Sequence, residues 1–243
     1  VSQQLLQVGL TLRYPKPARP SFPTLDRMVN FHHATRDERP GARMAILESG
    51  INAMAIVEAV DGPRRPAVLI RSSPARAGTE RTPWEDVIDL KKGKLTYFGD
   101  HKPGTRGRFG STKGNKVLEE ILPLHQGAGA VDRALAPPLL VFVTVPWIDR
   151  DLKVRDKGAV QFLGLAVLKE MTRIRAIDER TGAAYPNYRT RLQLLDLGID
   201  GGDIDWIWIN QRKDPELSVT QSRSCEPRAW AAWRESGRTS TTR

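Results

Sequence analysis

The sequence predicts an α+β domain built mainly of short strands, and three observations lead there. Apolar runs of four or five residues recur along the chain, bounded by turn residues as strands are. One stretch, Asn115 to Leu122, instead spaces Val117, Leu118, Ile121 and Leu122 for one face of a short helix. A regular strand-helix-strand alternation, the mark of a parallel doubly wound sheet, is missing.

Taken in order, residues 1–40 are rich in Pro and Arg and read as an extended lead-in with one short helix near Leu25 to Phe31. Residues 41–237 form the folded domain. Two apolar runs, Met44 to Leu47 and Ala53 to Val57, read as strands, followed by a turn at Asp61-Gly62-Pro63 and a third run, Ala67 to Ile70. Further strands are predicted at Lys94 to Phe98, Leu139 to Val145, Ala159 to Leu168 and Arg189 to Leu197. Toward the end, Trp230 and Trp233 are spaced for one face of a helix that can pack on the sheet, with Trp206 and Trp208 nearby. Residues 238–243 have nothing to bury and read as a disordered tail. No internal repeat occurs at any period.

A chain of 243 residues can bury a full core. Hydrophobic residues make up 40% and charged residues 27%, ordinary for a globular protein, so the net charge of +10 is a local decoration and not a sign of disorder. No apolar run approaches the roughly 18 residues that span a bilayer, and the N-terminus lacks the pattern of a signal peptide. A cytoplasmic protein without a membrane partner is expected. The single cysteine, Cys225, excludes an internal disulfide and a cysteine-rich zinc cluster, and the four histidines are not spaced as metal ligands. Val1 in place of Met fits either an alternative start codon or a fragment.

The charge excess is concentrated in one segment. From Lys91 to Lys116 eight Lys or Arg stand against one acid, Asp100, for a net of +7 among glycines and aromatics. Such a segment reads as a phosphate-binding surface, because each neutralised phosphate releases condensed counterions. Solvated surface charge would be spread more evenly along the chain.

The stretch Asp86-Val-Ile-Asp-Leu-Lys-Lys-Gly-Lys-Leu-Thr-Tyr97-Phe-Gly99, then a basic glycine-rich loop and Gly114-Asn115-Lys-Val-Leu118, resembles the heart of SRA domains. Further pieces resemble one branch, the N-terminal recognition domain of the AspBHI and MspJI type of modification-dependent restriction endonucleases. They are Trp84 with Asp86, Tyr97-Phe-Gly-Asp100, Gly158-Ala-Val-Gln-Phe-Leu-Gly164, Tyr185-Pro-Asn187-Tyr188-Arg189, Trp206, and Pro227-Arg-Ala-Trp230-Ala-Ala-Trp233. The resemblance spans residues 40 to 237. It implies an SRA-like (PUA-like) curved β-barrel with a few flanking helices that binds duplex DNA and turns a 5-methylcytosine into a pocket. Family members join this domain to a C-terminal nuclease, which is expected to be absent here. A separately encoded nuclease is a candidate partner beside methylated double-stranded DNA.

A flipping pocket needs flat faces to replace lost stacking and an acceptor for the exocyclic amine of cytosine. Trp84 and Tyr97 are the candidate faces and Asp86 the candidate acceptor, with Asp89 and Asp100 as alternatives. Stacking on an aromatic side chain is worth roughly 1–3 kcal/mol per base, enough to offset much of the cost of unstacking. The plain alternative has Trp84 anchoring the core while Asp86 and Asp89 flank the turn at Gly93. In the basic loop, Arg106 and Arg108 are suited to a guanine edge, and His101, Lys102, Lys113, Asn115 and Lys116 to phosphate contacts. Asn187 and Arg189 supply either a second contact surface or a strand edge.

Two other readings stay open. Asp61 followed by Asp89-Leu90-Lys91 fits the short Asp…Asp-x-Lys pattern of metal-dependent nucleases, and Mg²⁺ would be needed only in that case. Against it, Lys91 precedes Lys92-Gly93, where a turn is expected. The other reading is an RNA-binding or protein-binding module on a PUA-like scaffold, since fold alone does not fix the ligand. No other cofactor is expected: the P-loop and nucleophile-elbow motifs are missing.

Overall fold

Leu139 to Thr144 explains why the apolar runs of this chain are continuous: its neighbouring residues are buried on opposite sides of one sheet. Leu140 and Phe142 enter one core while Leu139 and Val141 enter a second, as the two-residue period of a strand requires. The computed structural model describes residues 4–15, 28–149, 151–178 and 180–239.

The strands are β1 (Leu5–Gln7), β2 (Thr11–Arg13), β3 (Val29–Asn30), β4 (Ile51–Ala53), β5 (Val57–Ala59), β6 (Gly62–Arg64), β7 (Val68–Ser72), β8 (Val87–Asp89), β9 (Lys94–Phe98), β10 (Leu139–Thr144), β11 (Trp147–Ile148), β12 (Val154–Arg155), β13 (Ala159–Ile177), β14 (Ala184–Leu194) and β15 (Asp203–Asp205). The α-helices are α1 (Phe31–Ala34), α2 (Lys113–His125), α3 (Ala130–Leu135), α4 (Trp206–Arg212) and α5 (Arg228–Ser236). The main sheet runs β4-β7-β10-β13-β14-β9-β8, with β2 on β13 and β3 on β2. Its pairs are antiparallel except β7 with β10 and β2 with β3. The mixed α+β class is as predicted. The barrel closure that the resemblance implies, which would join β4 to β8, is not among the described pairings.

A β-bulge keeps the long strand β13 in phase with both cores. Phe162 and Leu165 face the same core although they are three residues apart; the register shift opposite Val141 and Phe142 takes up the extra residue. On one side of the sheet, α2 lays Val117, Leu118 and Ile121 against Leu95, Tyr97 and Leu192. Burying such side chains stabilises by about 1.5–3 kcal/mol each. On the other side lie the four buried tryptophans of α4 and α5, with Trp230 and Trp233 at 4.6 Å between ring centroids. Arg64 donates to the last carbonyl of α4, at Arg212, and to that of Asp214 just beyond it, and Arg133 to the carbonyls of Arg234 and Glu235 in the last turn of α5, where a cation also favours the negative end of the helix dipole.

The structure corrects several expectations. Residues 1–40 are not simply a lead-in: β1 pairs with β15 and β2 with β13, and Leu6, Leu12, Tyr14 and Phe31 are buried. The helix expected near Leu25 to Phe31 falls partly outside the described residues, and the described part is β3 followed by the single turn α1. Met44 to Leu47 is not a strand; its backbone is irregular, with Leu47 held by Tyr14 Oη at 2.9 Å. The run Ala53 to Val57 straddles the gap between β4 and β5. β13 extends nine residues past its expected end at Leu168, and β14 begins five residues before Arg189. Tail residues 240–243 lie outside the described residues. Among the described residues, no helix is long and apolar enough to cross a membrane.

His125, at the end of α2, couples both halves of this fold to pH. Its ring packs 5.5 Å from that of Trp233, its Nδ1 accepts from Leu168 N–H (3.3 Å) and its Nε2 donates to the Pro137 carbonyl (3.1 Å). That pattern fits the neutral ring alone. Burial lowers its pKa from 6.5 to about 3, so between those values the folded state binds fewer protons than the unfolded state. The stability it contributes is present above pH 6.5 and is lost as pH falls, by up to about 1.4 kcal/mol per pH unit. Urea unfolding at pH 7.5 and pH 5 is expected to show this loss, and His125→Gln, which keeps one donor and one acceptor, is expected to remove most of it.

Candidate nucleic-acid interface

The turn after β9 organises this region. Gly99 has no room for a side chain: a Cβ there would lie 2.1 Å from Asn115 Oδ1 and 2.8 Å from Asn187 Oδ1. Both asparagines are fully buried. Asn115 Oδ1 accepts from Asp100 N–H (3.1 Å), and Asn187 Nδ2 donates to the Gly99 carbonyl (3.2 Å). The Asp100 carboxylate accepts from Gly114 N–H (2.8 Å), Asn115 N–H (3.0 Å) and the Thr112 hydroxyl. A carboxylate on the free amides at a helix N-terminus satisfies donors that lack an intrahelical partner. Strand β9, strand β14 and helix α2 thus meet at Gly99 and Asp100, and the basic loop 101–112 is strung between the two halves of that junction.

The expected pocket residues divide in their surroundings. Asp86 and Tyr97 come together. The Asp86 carboxylate accepts from Ser72 Oγ (2.7 Å) and Phe98 N–H (3.2 Å). Burial outweighs those bonds and pushes its pKa up to about 6. Tyr97 is 4% exposed within the core under α2, and its hydroxyl lies where a Cβ on Gly50 would sit. Its pKa is raised by burial and then by the charge of Asp86. Trp84, two residues before Asp86, is half-buried. Asp89 is elsewhere in role: it accepts from Lys92 N–H (3.1 Å) and pairs with the Lys92 ammonium (3.5 Å) in the β8–β9 turn. Asp100 is committed to α2.

The expected contact residues divide by burial. Lys102 is half-buried, while Arg106, Arg108, Lys113, Lys116 and Arg189 are at the surface or partly so. Asn115 and Asn187 lie inside, holding Gly99. His101 is also buried, 5.8 Å from the Phe109 ring, with its Nδ1 unpartnered among the described residues. Phe109 anchors the loop: its ring lies 4.6 Å from Tyr188 and 4.3 Å from the Arg173 guanidinium. A cavity of about 920 Å³ beside the start of α2 is lined by Met44, Ile46, Met54, Lys113 and Lys116, and by none of Trp84, Asp86 and Tyr97.

Sequence reasoning missed Arg71 and Ser72. Ser72 ends β7 and reaches Asp86 across 14 residues, while Arg71 donates to the carbonyls of Leu47 and Glu48. An apolar run ending in Arg-Ser carries no local signal of either interaction. The nuclease constellation is not assembled. Asp61 sits in the β5–β6 turn with Arg64 (3.2 Å) and Val219 N–H (2.6 Å), on a different sheet from Asp89. Among the described residues no three His, Cys, Asp or Glu are grouped to hold a metal.

Comparison with known proteins agrees with this architecture. The family model described as restriction endonuclease AspBHI N-terminal matches residues 47–243. The chain belongs to this family. The AspBHI-type domain is similar to the MspJI restriction endonuclease solved with a 27-mer oligonucleotide: 38% identity, TM-score 0.85, covering 96% of this chain and 52% of that one. AspBHI itself, a DNA modification-dependent restriction endonuclease, shares the fold at 24% identity and TM-score 0.59, over 81% of this chain and 45% of that chain. The DNA recognition domain of LpnPI does so at 22% and 0.57, over 79% and 77%. The chain spans about half the length of MspJI and AspBHI. No curated protein matches. The chain is thus homologous to the DNA recognition domains of modification-dependent restriction endonucleases.

The Gly99–Asp100 junction can be tested by itself. Asp100→Ala removes the acceptor for two helix amides and the Thr112 hydroxyl, and is expected to cost about 1–2 kcal/mol in urea unfolding. Hydrogen exchange is expected to quicken in loop 101–112 and the first turn of α2, while β10 is unchanged.

Proposed function

We propose that this domain reads a modified base, 5-methylcytosine foremost, in duplex DNA, with the base turned out of the helix toward Asp86. The observation that carries the reading is the Asp86 carboxylate. It is recessed beside Tyr97, and each oxygen accepts one protein hydrogen bond, leaving acceptor capacity for the exocyclic amine of cytosine. Ser72 and Phe98 N–H fix its orientation. Trp84, half-buried and two residues before Asp86 in the chain, would supply the open stacking face, and Tyr97 backs the site from the core.

Arg106 and Arg108 project from the adjacent loop and supply groove contacts, with Lys102, Lys113, Lys116 and Arg189 on phosphates. A nuclease acting on the bound DNA, in the same polypeptide or in a partner, completes the activity. The likeness to MspJI, solved with an oligonucleotide, supports the assignment to DNA.

Fluorescence anisotropy on a duplex with one central 5-methylcytosine and on its unmodified twin tests this reading. At least roughly tenfold tighter binding to the modified duplex is expected, about 1.4 kcal/mol, and Asp86→Ala is expected to abolish the difference. A pH series adds the sign. Asp86 is ionised above its pKa of about 6, so the preference is expected to be full at pH 7.5 and to decay as pH falls through 6, with Asp86→Asn flattening that dependence. Equal binding to both duplexes at pH 7.5 contradicts the reading.

A further inference from the structure

The main sheet ends at β4, and that end is open. Among the described strands β4 pairs only with β7. The Gly50 carbonyl accepts from Arg71 N–H (2.7 Å), and Met54 N–H donates to the Ala67 carbonyl (3.1 Å). By the alternation of an antiparallel pair, Gly50, Asn52 and Met54 therefore turn their main-chain groups toward β7, while Ile51 and Ala53 turn theirs away. No described residue donates to or accepts from those outward groups. Natural edge strands are blunted by charge, by proline or by a covering element. Residues 51–57, Ile-Asn-Ala-Met-Ala-Ile-Val, carry neither charge nor proline.

The cavity of about 920 Å³ lies along this edge. Its walls come from both faces of the sheet: Val117 of α2 belongs to one core, Ala45 and Leu69 belong to the other, and Asn52 and Ala53 line it between them. A space bounded by both layers and by the last strand is a space beside that strand. Met44 and Ile46 line it while 40% and 47% exposed, and methionine adapts to varied apolar partners. Apolar side chains left open around one groove mark a binding surface, where singly scattered ones do not.

The rim of the groove is cationic. Arg43, Lys113 and Lys116 line it with no ion pair among the described residues, while Glu120, the acid in its lining, is held by Arg65 (2.7 Å). Duplex DNA offers phosphates to those cations but no strand to pair with Ile51 and Ala53. An extended peptide offers both, because its main chain completes the edge while successive side chains fall on opposite walls.

We propose that the β4 edge is a docking site for an extended acidic segment of a partner protein. The segment adds as a strand on Ile51 and Ala53, with alternate side chains on the two walls: apolar ones against Met44 and Ile46, and Asp or Glu toward Lys113 and Lys116 of α2. The inference does not rest on base reading. It shares Lys113 and Lys116 with the phosphate contacts proposed above, so a bound segment competes with DNA for them.

Selection of random short peptides on the full chain by phage display, without DNA, tests this site. The enriched sequences are expected to alternate apolar residues with Asp or Glu. A selected peptide, fluorescently labelled, is then measured by anisotropy on the wild type, Ala53→Pro and Ile46→Ser. Proline at position 53 removes an outward N–H and leaves the β7 ladder whole; it is expected to weaken the peptide by roughly tenfold with the circular dichroism spectrum unchanged. Ile46→Ser, at an exposed side chain, is expected to weaken it several-fold. Exchange of the Ala53 amide hydrogen is expected to slow when the peptide binds. Enrichment of no acidic, apolar-alternating sequence overturns the docking site, as does a selected peptide whose affinity is the same on Ile46→Ser and whose binding leaves Ala53 exchange unchanged. Weaker duplex binding by Ile46→Ser with no peptide selected gives the groove to nucleic acid and overturns it equally.

Discussion

The Asp100 carboxylate on the first amides of α2 is the constraint on which the rest of this structure depends. It joins the end of β9 to the start of the helix that covers one of the two cores, and the basic loop 101–112, with Lys102, Arg106 and Arg108, is held between those two points. Buried asparagines on either side of Gly99 lock the same junction from α2 and from β14. The loop is thereby a short bridge with both ends fixed, tied at its middle by Phe109 against Tyr188. Fixing the ends lowers the entropy given up when such a loop orders on a ligand.

Electrostatics in this protein has two tiers that composition alone merges. One tier is internal: Arg64, Arg133 and Arg212 are buried and donate to main-chain carbonyls. Burial lowers the pKa of Arg212 to about 10, and its planar fork still serves Pro66 and Ala136 together. These arginines hold loops and helix ends. The other tier is external: the loop 101–112, the first turn of α2 and the β13–β14 hairpin turn most of their cations toward solvent. Between the tiers lies Asp86, a half-buried carboxylate with a raised pKa beside a buried tyrosine, and perturbed carboxylates of this kind cluster at functional sites.

What can be read in the sequence follows physical range. The strand Lys94 to Phe98 and the helix around Val117, Leu118 and Ile121 are carried by local periodicity, and the structure has both. Trp230 and Trp233 share the buried face of α5 as their spacing predicts. β1 and β2 are hidden because their partners lie about 150–200 residues away, and Pro-rich flanks mask three-residue strands. Met44 to Leu47 looks like a strand in composition but is irregular backbone, with Met44 to Ile46 lining a cavity, Leu47 in the core, and no strand partner among the described residues. At the candidate site the residue types are legible and the roles are not. Asp86, Asp89 and Asp100 are indistinguishable as letters, yet one is recessed beside Tyr97, one closes a turn, and one caps a helix. Asparagine is commonly a surface residue, which places Asn115 and Asn187 outside on sequence grounds; their amides instead serve the backbone at Gly99.

The central claim is that Asp86 receives a modified cytosine extruded from duplex DNA. A crystal structure of this domain with a duplex carrying one central 5-methylcytosine tests it most directly. The expected result is a base outside the stack, its exocyclic amine about 3 Å from the Asp86 carboxylate and Trp84 against its face. A 5-methylcytosine still paired and stacked in the bound duplex, with Asp86 facing only Ser72 and Phe98, would contradict the account.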